Sequence, residues 1–187
     1  MATSIEELEQ HLTHLELTYR RHENGALVLS WAVDHHRDPH GDHRLVTVLD
    51  VAEDGELVVM YGVSSYTVTS SQVGPALAVC AMITTRVPLV RYAFLHTERR
   101  IVPMIHLSVE DGTLTPGQVD RCLHTLVNVI DRYHDVVRLA IEEGRVDPEL
   151  VENPSLCRPS DDLRDLLDLL PAEVVLDAAD RARARLA

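Results

Sequence analysis

The sequence predicts an α+β fold: an antiparallel five-stranded sheet backed by helices, in the order α-β-β-β-α-β-β-α, with a C-terminal helical extension. Three observations lead there. Apolar residues recur every three to four positions in stretches at the start, middle and end of the first 144 residues. Between these stretches the period falls to two. Short turn signals such as Asn24-Gly25 and Asp54-Gly55 join the alternating runs as hairpins.

The elements follow in order. Ser4 and Glu7 form a capping box, and Ile5, Leu8, Leu12, Leu15 and Tyr19 line one face of a helix running from Ser4 to about Arg21. Leu27, Leu29, Trp31 and Val33 then alternate as a first strand. Leu45–Val51 and Leu57–Val63 form a hairpin around Glu53-Asp54-Gly55, which Tyr66 and Val68 extend. Pro75 to about Arg86 reads as a helix ended by Pro88. Two more strands follow, Leu89–Leu95 and Ile101–Val109. Pro103 cannot donate to a ladder, so it places the second at an edge or a bulge.

The stretch Thr115–Gly144 is the best specified. Thr115, Pro116 and Gln118 supply an N-cap, a first-turn proline and a capping-box partner. Val119, Cys122, Leu123, Leu126, Ile130, Tyr133, Val137, Ala140 and Ile141 follow one apolar face, and Gly144 is the left-handed stop. Such a helix is about 40 Å long, enough to cross a small sheet. Beyond it the composition changes. Residues 1–144 are expected to form the main domain, and residues 145–187 a linker punctuated by Pro148, Pro154 and Pro159 with a helical appendage. The appendage would use Leu163, Leu166, Leu167 and Leu170, then Val174, Val175, Ala178, Ala182 and Leu186.

Charge and composition exclude several classes of function. Seventeen basic residues against thirty acidic ones give a net charge of −13, which disfavours direct contact with nucleic acid. The one basic run, Arg181, Arg183 and Arg185, suits the C-terminal end of a helix. Cys80, Cys122 and Cys157 are too far apart for a disulfide framework or a zinc motif. The opening MATSIEELEQ has no secretory pattern, and no 18-residue apolar run could span a membrane. The expectation is a cytoplasmic protein.

Chemistry-bearing residues are dispersed. Residues 34–43 read Asp-His-His-Arg-Asp-Pro-His-Gly-Asp-His, and their four histidines and three aspartates could ligate zinc or nickel. The same residue types also suit a solvated loop between two strands. Gly62-Val63-Ser64-Ser65-Tyr66 lacks the second glycine of a nucleophile elbow, and no phosphate-cradling glycine motif occurs. Cys80 and Cys122 fall on apolar helical faces, where cysteine acts as a small hydrophobe. Catalytic residues, resident metal and cofactor are therefore not expected.

The element order, together with Asp131-Arg132-Tyr133-His134 in the last helix of the domain, resembles the YbjN family, which shares its fold with the class I chaperones of type III secretion. The final helix of that family carries a DRYY-like or DRYH-like signature. The likeness covers about residues 4–144. In the helix before the fourth strand, Ala81-Met82-Ile83-Thr84-Thr85 departs from the asparagine-containing segment usual in the family. The resemblance implies a homodimer without catalytic residues, linked to stress responses, that holds an extended protein segment on apolar patches of the first helix and sheet.

Several strands are apolar on both sides, and helices cover only one face of a sheet, so the other needs a partner. From this pattern and the resemblance, the expected dimer surface is Ile83, Val87, Leu89, Val90, Tyr92 and Phe94. The expected partner groove is Leu8, Leu12, Leu15, Leu27, Leu29 and Trp31. The expected function is a non-enzymatic homodimeric chaperone-like or adaptor-like module acting on a protein partner. The alternatives are a metal-dependent enzyme using residues 35–43, and a regulator that reaches nucleic acid directly or through a partner.

Overall fold

The computed structural model of the protein describes residues 3–63, 66–110 and 112–157. The chain divides at Pro154 into two units, Met1–Pro154 and Ser155–Ala187. The first unit holds all the elements below. The helices expected from Ser160 onward lie outside the described residues.

The first unit is an antiparallel sheet backed by helices. Helix α1 (Ile5–His14) is followed by β1 (Tyr19–Arg21), β2 (Leu27–Ala32), β3 (Arg44–Ala52), β4 (Leu57–Gly62) and β5 (Tyr66–Thr67). Helix α2 (Val73–Arg86), β6 (Arg91–Leu95), β7 (Arg100–Ser108), α3 (Pro116–Glu143) and α4 (Pro148–Glu152) complete it. The sheet has seven strands rather than five. Strands β1 to β4 pair in sequence, β4 and β5 lie along one side of β7, and β6 lies along the other.

The two additional strands have separate causes. Tyr19 has the spacing of the first helix, but that helix stops at His14, capped by Leu15, and Glu16 turns back at φ 56°. Tyr19 instead pairs with Leu29 in a hairpin closed at Gly25, whose φ of +95° suits glycine. Tyr66 and Thr67 pair with β7 as a separate short strand rather than lengthening β4.

Pro103 lies in a central strand, not at an edge. The β4 ladder ends at Met104 and the β5 ladder begins at Ile101, so Pro103 falls in the gap between them. A residue without an N–H is tolerated where the ladder is already interrupted.

Register sorts the side chains into two faces. Leu27 faces Leu49, Leu49 faces Met60, and Met60 faces Ile105; all four are buried. Helix α3 lies on this face against β3, β4 and β7, with α1, α2 and α4 packed beside it. Its ends are those the sequence specifies. The Thr115 hydroxyl accepts from the Gln118 N–H at 3.3 Å, the Gln118 carboxamide accepts from the Thr115 N–H at 2.9 Å, and Gly144 takes φ 68°.

Helix α3 approaches the sheet closely at Gly62. A Cβ there would lie 2.6 Å from Ile130 Cδ1 and 3.3 Å from Pro103 Cγ. Gly62→Ala is therefore expected to cost about 1–2 kcal/mol in chemical denaturation, because Ile130 must leave its rotamer. Unchanged stability would mean that α3 has room to move off the sheet.

The packed body continues past Gly144. Leu150 and Val151 of α4 are buried against α2 and α3, and Arg86 bonds Glu152 at 2.6 Å. Among the described residues no helix is long and apolar enough to cross a membrane.

Candidate functional site

Among the described residues the four helices form one layer, in which α1, α2 and α4 each touch α3, itself packed on β3, β4 and β7. The opposite face of the sheet carries an apolar row as well, flanked by Asp50, His106 and Arg91. Val28 faces Val48, Val48 faces Tyr61, and Tyr61 faces Met104, in rows that alternate with the core rows. A groove of about 480 Å³ opens on this face between Val59, Tyr61, Leu95, Val102 and Met104. Glu98 and Arg100 stand beside it, 3.4 Å apart, so an apolar floor carries one polar edge. Among the described residues β6 pairs only with β7, and no described strand covers its other edge, next to exposed Leu89.

A second polar assembly lies where the β2–β3 loop folds over the end of the sheet. Asp131, projecting from α3, accepts backbone N–H bonds from His35 at 2.8 Å, His36 at 2.7 Å and Asp34 at 3.4 Å. Burial alone would raise the Asp131 pKa, but the three donors outweigh it and hold the carboxyl below its ordinary value. The latch turns the His36 side chain inward, where only 2% of the residue is exposed. Its Nδ1 lies 3.2 Å from the Arg44 carbonyl. His36 meets His134 edge-on with ring centroids 4.7 Å apart, and His134 Nδ1 lies 3.4 Å from the Tyr66 hydroxyl.

Burial favours the neutral form of both histidines. Burial lowers the His36 pKa against the opposing pull of the Arg44 carbonyl and Asp131. Burial, then the neighbouring His36, lowers that of His134 to about 4. Burial likewise raises the pKa of Tyr66.

The histidine-rich loop does not gather its imidazoles around one point. His36 faces the core, whereas His40 and His43 are exposed. Among the described residues, the potential ligands that approach one another within 4.8 Å are Asp34, His35 and Asp131. The Asp131 oxygens there already serve the three loop N–H groups. Cys80 and Cys122 are buried, and burial pushes the Cys80 thiol up to about 12, far from a thiolate nucleophile at neutral pH.

The residues expected to form a partner groove divide between core and surface. Leu8, Leu12, Leu27 and Leu29 are covered by the chain itself, while Leu15 and Trp31 are half-buried. Trp31 donates to the Thr47 hydroxyl at 2.8 Å. The expected dimer residues divide in the same way. Ile83 and Val90 are core, Val87, Tyr92 and Phe94 are half-buried, and Leu89 is exposed. The helix-free face, centred on Val59, Tyr61 and Met104, was legible as alternation within the strands. Choosing between the two alternating sets required the position of α3.

No protein-family model and no curated protein matches this sequence. Among solved structures, the chain is similar to the crystal structure of YbjN from E. coli, described as a candidate transcription regulator. The match has a TM-score of 0.52 and 20% identity, and covers 72% of this chain and 93% of that one. At that identity the likeness concerns the fold, and the chain has a YbjN-like fold.

Proposed function

We propose that this chain is a non-enzymatic, homodimeric protein-binding module of the adaptor or regulator kind, acting in the cytoplasm, and that its partner docks on the helix-free face of the sheet. The observation that carries this reading is the apolar row Val28-Val48-Tyr61-Met104, with the groove beside it, on a face that none of the described helices covers. Contiguous apolar surface of this kind marks interaction sites. The open β6 edge beside Leu89 is the proposed dimer contact. The polar groups gathered around Asp131 are engaged in holding the β2–β3 loop, which favours a structural role for them over a catalytic one. Likeness to a candidate transcription regulator supports a regulatory role. A net charge of −13 favours exerting it through a protein rather than through DNA.

Two substitutions separate the surfaces. Val59→Arg places a charge in the groove and is expected to leave a dimer that no longer captures its protein partner from lysate. Leu89→Arg is expected to halve the mass by light scattering while the groove keeps its partner. A native chain that is monomeric at micromolar concentration refutes the dimer. Capture of the same proteins by native and Val59→Arg chains refutes the docking face.

A further inference from the structure

We infer that the pocket between the β2–β3 loop and the end of the sheet binds a small organic phosphate monoester of about nucleoside monophosphate size. The cavity measures about 490 Å³, within the range of small-molecule sites. Its charge runs against that of the molecule. In a chain of net charge −13, the pocket is lined by Arg37, Arg44 and Arg100 against a single carboxylate, Asp38. Of the three histidines in its wall, His36 and His134 are buried, which favours their neutral form, and His40 is exposed. Asp38 pairs with Arg44 and Glu98 with Arg100, so three guanidinium groups less two carboxylates leave one positive charge, centred on Arg37, and that surplus favours an anion such as a phosphate monoester.

The arginines have donors to spare for such a ligand. Arg37 donates to the Gly41 carbonyl at 3.1 Å and meets no carboxylate among the described residues. Arg44 meets Asp38 at 3.3 Å. A guanidinium offers five N–H groups in a planar fork suited to phosphate oxygens, so one partner each leaves most of the fork unused. Arg100 reaches the same pocket but is already engaged, donating to the Val63 carbonyl at 3.2 Å and to Glu98 at 3.4 Å, so Arg37 and Arg44 carry the proposed contact.

The rest of the lining suits a planar organic body rather than a bare ion. His134 and Tyr66 lie with ring centroids 5.9 Å apart at a 31° tilt, and His36 packs edge-on at 4.7 Å. Val46 and Val63 supply apolar wall. The buried His36 and His134 rings already pack on one another and on Tyr66, so the wall open to a ligand is that of Tyr66, Val46 and Val63, which an inorganic phosphate bound to the arginines would leave uncovered. An uncharged nucleoside would do the reverse.

The test is calorimetric titration of the full chain with the four nucleoside 5′-monophosphates and phenyl phosphate, with adenosine and inorganic phosphate as controls. At least one monoester should bind at least tenfold more tightly than either control. Arg37→Gln and Arg44→Gln should each weaken that binding about tenfold, the loss expected for one charge-assisted contact. Arg37 has no ion pair among the described residues, so its replacement separates a binding defect from a folding defect; the melting temperature of the unliganded variant confirms this. Val63 and Arg100 border both this pocket and the groove, but Arg37 and Arg44 line the pocket alone, so Arg37→Gln and Arg44→Gln should capture the protein partner like the native chain, which distinguishes failure of the phosphate site from failure of the docking face. Failure of every monoester to bind overturns the inference. So does binding that Arg37→Gln and Arg44→Gln both leave unchanged, or inorganic phosphate that binds as tightly as the monoesters.

Discussion

Asp131→Ala is expected to lower stability by about 3 kcal/mol and to loosen residues 34–36 in particular. The carboxylate makes two short bonds to backbone N–H groups and one longer bond. Hydrogen bonds to a charged group contribute about 1.5–3 kcal/mol each. Asp131 is only partly buried, so water replaces some of what is lost, and the lower part of the summed range applies. For a body of this size, 3 kcal/mol corresponds to a fall in Tm of about 6–12 °C. Asp131→Asn keeps an oxygen that can accept two N–H bonds but loses the charge, and should cost about half as much. Urea denaturation measures the global effect. Amide exchange tests the local one: protection at His35 and His36 should fall more than at Leu49 or Met60. An alanine variant within 0.5 kcal/mol of the native protein would mean that the loop is held by other contacts.

The latch also marks where the sequence stops being informative. The long helix was legible because its signals are local: Thr115, Pro116 and Gln118 act within one turn, and Gly144 ends the helix through its own backbone. The hairpins were legible for the same reason, since Asp54-Gly55 joins the two strands that pair. Three-residue β1 was not, because Tyr19 satisfies helical spacing equally well and only the reversal at Glu16 excludes it. Pro103 misled because a local rule about edges was overruled by a gap between two other strands.

The site follows the same division. Asp131-Arg132-Tyr133-His134 stood out as a segment, and Tyr133 is buried with the Arg132 guanidinium 5.6 Å from its ring centroid. Nothing within that segment reveals that Asp131 serves backbone N–H groups 95 to 97 positions earlier in the chain. The loop at residues 34–43 reads as solvated for the same reason. Its composition is polar throughout, and only the partner on α3 makes His36 a core residue.

Acid should expose the buried histidines as a loss of stability centred above the carboxylate range. In the unfolded chain a histidine takes up its proton near pH 6.5, whereas folded His134 does so only near 4. Between those values the unfolded state binds more protons, so stability is complete above pH 6.5 and is lost as the pH falls. By pH 5 the difference for His134 amounts to about 2 kcal/mol, at 1.36 kcal/mol per unit of pH. His36, whose pKa is also lowered by burial, acts in the same direction. Asp131 and Asp38 have lowered pKa values as well, but a depressed carboxylate loses its stabilisation only as the pH drops through the acid range below about 4. The two windows therefore separate. Urea midpoints at pH 7, 6, 5 and 4 should fall steadily for the native chain. His134→Gln, which keeps a hydrogen-bonding group near Tyr66 without a proton to take up, should flatten most of the slope between pH 6.5 and 5 and leave the steeper fall below pH 4 in place. Parallel curves for the two proteins would show that His134 gains its proton in the fold as readily as in the unfolded chain, and that the His36–His134 contact opens to water well above pH 5.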